Sequence, residues 1–178
     1  MTEAQFVIRV REMALERGIT LDPGDIRDSL DPALHAVSRR IAESGEYALQ
    51  QKEATLTLTS GVASLATETD LLIDTIDTVL HPSIDGVPRY LSRIPDGTRA
   101  DLTNASGSMY PLYVIEKGAI YCSLGNGGWP DADDLPDDTA ELKATGSQVA
   151  TLANLNSQYE DDLILQGVSY AAAAQAAT

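Results

Sequence analysis

Two histidines and one cysteine are all that 178 residues hold of two side chains much used in nucleophilic and proton-transfer chemistry. The lone Cys122 excludes an internal disulfide and fits a reducing compartment. It falls inside a strand-like run, where a thiol acts as a small hydrophobe, and its neighbours supply no cation to hold a thiolate. His35 falls mid-helix and His81 precedes Pro82 at a strand end, and neither sits in a catalytic motif. Aromatics are scarce at 5%, with one Trp and one Phe, so a core must lean on Leu, Ile, Val and Ala. Cations are outnumbered 12 to 27, for a net charge of −15 and a pI near 4.2. That balance excludes duplex nucleic acid as a bound ligand, because cations must replace its counterions. It suits nucleic acid as passing cargo, since a negative wall repels a phosphate backbone. No apolar run of about 18 residues and no cationic, apolar, cleavable start is present, so neither a membrane span nor a signal peptide is expected.

Motifs for chemistry are missing too. There is no Gly-x-Ser-x-Gly and no His-Glu-x-x-His, and Gly125-Asn-Gly-Gly128 lacks the Lys-Ser/Thr of a phosphate loop. Asp131, Asp133, Asp134, Asp137 and Asp138 invite comparison with a calcium loop. That pattern wants Gly sixth and Glu twelfth, where Pro136 and Leu142 stand. The expectation is no enzyme, no cofactor and no catalytic or metal residue. A small acidic metal-binding module centred on Asp131–Asp138 is kept as an alternative.

What is present is an ordinary 43% of hydrophobic residues, enough for a core, and a charge that deepens along the chain. Residues 1–52 carry seven basic and nine acidic groups, residues 53–130 four and nine, and residues 131–178 one and nine. Thr2 and Gln5 form a capping box ahead of a helix over 3–17, with Phe6, Val7, Val10, Met13 and Ala14 on one face and Gly18 as its stop. Leu21-Asp-Pro-Gly-Asp25 predicts a turn. Asp31-Pro32 predicts the start of a second helix, buried through Leu34, Val37, Ile41 and Ala42 and ending near Ser44-Gly45.

The period then changes. Thr55-Leu-Thr-Leu-Thr59 alternates strictly, the mark of a half-buried strand. Leu71 to Leu80 fits either period; the reading adopted is a helical turn near Thr69–Leu72 followed by a strand. Arg89–Ile94 predicts a short strand. Tyr110–Leu124 predicts a hairpin about Lys117-Gly118, with Ile115 opposite Ile120, Tyr113 opposite Cys122, and both faces covered. Residues 126–141 predict an acidic loop, broken by Gly and Pro. Trp129 within it either anchors the loop or fills a neighbour's pocket.

From Ser147 onward a single long helix is expected, striped by Leu152, Leu155, Tyr159 and Leu163, with an alanine-rich end at Tyr170–Ala177. That end suits close approach by another chain or a frayed tail. The fold class expected is α+β in a single domain, 1–178. A helical bundle from 1–50 and 146–178 carries an inserted, mostly antiparallel β-subdomain at 51–145 that contains the hairpin.

The order of these elements resembles the head-to-tail adaptor proteins of tailed bacteriophages. The likeness runs over residues 65–175: Thr69-Asp-Leu-Leu-Ile-Asp-Thr-Ile-Asp-Thr-Val79, Pro88-Arg-Tyr-Leu-Ser-Arg-Ile94, the hairpin, Asp133-Asp-Leu-Pro-Asp-Asp138, and Tyr159-Glu-Asp-Asp-Leu-Ile-Leu-Gln-Gly-Val-Ser-Tyr-Ala-Ala172. Gly125-Asn-Gly-Gly128 departs from the Tyr-Pro-Thr-Pro type of hairpin end. The resemblance implies a structural protein of the virion, assembled in the host cytoplasm. It implies a ring of about twelve copies, a closed cyclic homo-oligomer, beneath the portal. Its partners would be itself, the portal protein, and tail or nozzle proteins, with DNA passing through and no membrane. The helical part would touch the portal and the β part the tail or outer surface. Candidate contact residues for ring or portal are Trp129, Tyr159, Leu163, Tyr170 and Ala173. A tail-completion or neck protein below the adaptor is the alternative in the same setting.

Overall fold

The computed structural model describes residues 1–45, 49–59, 61–81, 89–104, 111–123 and 139–177. The chain divides into two compact units, one of residues 1–50 with 148–178 and one of residues 51–147.

The first unit is helical. Helix α1 spans Glu3–Glu16. The Thr2 hydroxyl accepts from the Gln5 N–H at 3.2 Å while the Gln5 side chain accepts from the Thr2 N–H at 2.8 Å, so the expected capping box is present. Gly18 ends it at φ +73°, and Ile19 N–H donates back to the Ala14 carbonyl at 2.9 Å. The segment 21–25, expected as a turn, opens a short helix instead, α2 at Pro23–Asp28. Asp22 caps it through the Gly24 N–H at 2.7 Å, and Pro23 fits its first turn. Helix α3 spans Leu30–Glu43, two residues ahead of the expected Pro32 start. Helix α5 spans Glu160–Ala176 and packs on α1, α2 and α3. Its buried line is Leu163, Ile164, Gly167, Val168 and Ala171.

The second unit corrects the fold class. The expected helical bundle with an inserted hairpin subdomain does not occur; residues 51–147 form a closed barrel in the order β1-β2-β6-β5-β4-β3-β7. The strands are β1 Gln51–Thr59, β2 Val62–Ser64, β3 Thr78–His81, β4 Arg89–Arg93, β5 Leu112–Glu116, β6 Ala119–Ser123 and β7 Thr139–Ser147. Closure depends on β7, which pairs antiparallel with β1 from Gln51↔Ser147 to Thr59↔Thr139 and with β3 from Thr78↔Thr145. The expected loop 126–141 and the expected long helix from Ser147 left no room for β7. Its inward positions, Leu142, Ala144 and Gly146, are mostly small, so their alternation is faint in sequence. The three pack inside because the barrel there is narrow: a Cβ on Gly146 would lie 3.2 Å from both the Ile76 nitrogen and a Leu71 methyl carbon. The long helix is cut short for a related reason. Thr151 N–H donates to the Asn154 side chain at 2.6 Å, and Asn156 caps a 3₁₀ turn at Ser157–Tyr159, so asparagine side chains hold residues 151–159 in turns until Glu160.

Other strand readings stand closer to the coordinates. Ala54, Leu56 and Leu58 of β1 are buried between exposed threonines. The hairpin has the expected register, Tyr113↔Cys122 and Ile115↔Ile120, about Lys117 (φ +50°) and Gly118 (φ +73°). The helical turn expected near Thr69–Leu72 lies at Ile73–Thr75, directly ahead of β3. Strands β4 and β5 pair in parallel, so the chain must cross between them. Helix α4, Arg99–Asn104, lies on that crossover and packs on β5 and β6. It covers the hairpin's outer face, where Val114 and Leu102 are buried and Arg99 stacks 5.4 Å from the Tyr121 ring centre. The barrel interior is filled by side chains such as Leu56, Leu65, Ile76, Tyr113, Ile120 and Leu142.

Candidate functional site

Five residues were expected to mark a contact surface, and the structure sorts them. Trp129 lies outside the described residues, as does most of the acidic loop 126–141. Leu163 is wholly buried in the first unit, so it is not part of the exposed surface. The reason is helical phase: the face holding Leu163, Gly167 and Ala171 packs inward, and at Gly167 an added Cβ would come within 2.7 Å of the Phe6 ring. Tyr159 ends the 3₁₀ turn half-buried, its hydroxyl sealed and without a hydrogen-bond partner among the described residues. Tyr170, 40% exposed, and Ala173 stand on the outward side of α5. Only these last two remain together as surface.

The sequence reading missed the larger part of the exposed apolar surface. Ile8 and Leu15 of α1 are 55% and 53% exposed. They lie seven residues apart, opposite the buried Phe6, Val10 and Ala14. Their spacing is legible in the sequence, but the face of Phe6, Val10 and Ala14 already accounts for the helix. Beside Ile8 opens a notch of about 400 Å³, walled by Met1, Gln5, Arg9 and Glu160. The Arg9 guanidinium fixes one wall, reaching Glu160 at 2.7 Å and Asp161 at 2.7 Å. Arg40 holds Asp162 at 3.3 Å, so the acidic first turn of α5 is tied to α1 and α3.

The candidates for chemistry do not assemble into a site. Burial pushes the Cys122 thiol up to about 12, so it is a thiol at neutral pH. His35 lies exposed on α3 with Nδ1 2.9 Å from the Asp31 carbonyl. Among the described residues no group of three or more His, Cys, Asp or Glu side chains is placed to hold a metal ion. Another ionic cluster joins Lys52 of β1 to Glu68 at 2.9 Å and to Asp70; the two carboxylates hold the ammonium above its usual range despite partial burial. Its geometry is that of a strut between β1 and the segment after β2. Among the described residues no helix is long and apolar enough to cross a membrane. No protein-family model matches the chain, and no curated protein matches it.

Proposed function

We propose that this chain is a structural adaptor of a phage head–tail connector. It would form a ring between portal and tail and leave a passage for DNA. The observation that carries this reading is the apolar surface left in water on the first unit, Ile8 and Leu15 on α1 and Tyr170 on α5. Such a surface is what a subunit that works among copies of itself would keep. Two further features favour it. The order of segments over residues 65–175 resembles the phage adaptors, and a net charge of −15 suits a wall past which DNA slides without sticking. On this reading the protein acts by shape and contact and transforms no molecule.

Co-expression with a phage portal protein and a tail-completion protein tests the proposal. An adaptor is expected to co-purify with the portal alone and to recruit the tail protein afterwards. A chain that binds only the tail protein would instead be the neck component below the adaptor. A chain that binds neither would remove the virion reading altogether.

A further inference from the structure

Strand β4 hands the chain to helix α4 through the turn Ile94-Pro-Asp-Gly97. The Gly97 N–H closes it onto the Ile94 carbonyl at 3.2 Å, the long end of the range for such a bond. Pro95 suits the second place of a type II turn, whose third place needs a positive φ and ordinarily takes glycine. The third residue here is Asp96, at φ +51°. Glycine comes one place later because packing demands it there. A Cβ on Gly97 would lie 2.6 Å from an Ile94 methyl carbon and 2.9 Å from a Val114 methyl carbon.

That order sets a free carboxyl group beside an unhindered amide. Asp96 is exposed, and its side chain makes no hydrogen bond or ion pair among the described residues. The next N–H groups are taken by other carboxylates: Thr98 donates to Asp101 at 2.6 Å and Arg99 to Glu116 at 3.0 Å. Neither competes to draw the Asp96 side chain away from its own neighbour. With no side chain on Gly97, the amide nitrogen is open to the Asp96 Cγ.

We propose that Asp96–Gly97 is a site of spontaneous covalent modification, where the folded chain isomerises to isoaspartate. The Gly97 amide nitrogen attacks Cγ of the Asp96 carboxylic acid, and an N–Cγ bond forms. The amide proton and the acid hydroxyl leave as water, closing a five-membered imide. Water then opens either imide carbonyl. Opening at the side-chain carbonyl restores aspartate. Opening at the main-chain carbonyl leaves the backbone running through Cβ and Cγ, with a free main-chain carboxylate. No atom is gained or lost overall, and nothing is oxidised or reduced. The product has one more carbon in the turn and no longer holds an aspartate at φ +51°.

Peptide mapping tests it. The intact chain is stored warm at neutral pH in heavy-oxygen water, then digested with trypsin in ordinary water. Cleavage after Arg93 and Arg99 isolates residues 94–99, in which Asp96 is the one Asp or Asn. Asp85-Gly86 and Asn126-Gly127, which lie outside the described residues, fall in other fragments. Fragment 94–99 is expected to split into two species of equal mass, each carrying heavy oxygen. Asp96→Glu is expected to abolish the split, because a six-membered imide closes far more slowly. Asp96→Asn is expected to give the same pair sooner, since its amide loses ammonia more readily than the acid loses water. A native fragment that stays single and unlabelled, while the urea-unfolded chain splits over the same period, would overturn the proposal. So would a split that persists in Asp96→Glu.

Discussion

Gly167 is where α5 crosses closest to α1. A Cβ there would sit 2.7 Å from the Phe6 ring and 2.8 Å from a Val10 methyl, both on wholly buried side chains. Gly167→Ala gains up to about 1 kcal/mol of helix propensity. Overpacking costs about 1–3 kcal/mol and should win. The expected result is a lower urea midpoint; an unchanged or higher one would mean the α1–α5 crossing is looser than described. Tyr113 presents the converse case. Its hydroxyl is buried without a hydrogen-bond partner among the described residues, and burial pushes its ionisation upward. Tyr113→Phe removes an unsatisfied group and is expected to hold or raise stability by about 1 kcal/mol. A loss of that size on thermal melting would reveal a partner such as a buried water.

At the same scale, Lys52 and Asp101 bracket the pH range. Two carboxylates raise the Lys52 pKa, so its contribution is complete below about 10.5 and fades as pH climbs through the higher folded value. The Thr98 N–H and hydroxyl lower the Asp101 pKa, so that contribution holds above about 3.8 and fades as pH falls through the lower folded value. Melting across alkaline pH should show a decline in the native chain that Lys52→Met flattens. Equal slopes in the two would deny the strut its role.

Among the elements, local chemistry was legible and long-range pairing was not. The hairpin announced itself because Lys117-Gly118 supplies positive φ between two apolar runs, and its register follows from a two-residue turn. The first helix announced itself through Thr2, Gln5 and Gly18. Strand β7 did not, since Ala144 and Gly146 give no hydrophobic signal of their own and take meaning only from β1, far back in the chain. Barrel closure is a property of that pairing, so the fold class was misjudged with it. The exposed apolar surface was half legible: Tyr170 and Ala173 stand outward, Leu163 is buried, and Ile8 and Leu15 lie outside the face that first accounts for α1. Two element-level changes follow. Lys117→Asn places a residue more tolerant of φ +50° in the turn and is expected to raise the melting temperature modestly, by about 0.5 kcal/mol of stability. Ser38→Ala strands the Ala150 N–H, which now donates to the buried Ser38 hydroxyl at 2.8 Å. A cost of about 1–3 kcal/mol on chemical unfolding is expected, and no cost would mean another acceptor takes that N–H.

For the whole molecule, a net charge of −15 opposes any association of copies, and under the adaptor proposal the exposed apolar side chains of α1 and α5 would have to overcome it. Screening weakens the first more than the second, so association should strengthen with salt. Among the described residues the barrel is closed, so an assembly of the proposed kind would use side-chain faces rather than strand addition. Native mass spectrometry of the chain co-expressed with a phage portal protein tests the adaptor proposal directly. The expected spectrum holds a portal-bound ring of many 19.0 kDa subunits, lost when Ile8 and Tyr170 are both changed to glutamate. A single 19.0 kDa species at every salt and protein concentration, with the portal unoccupied, would contradict it.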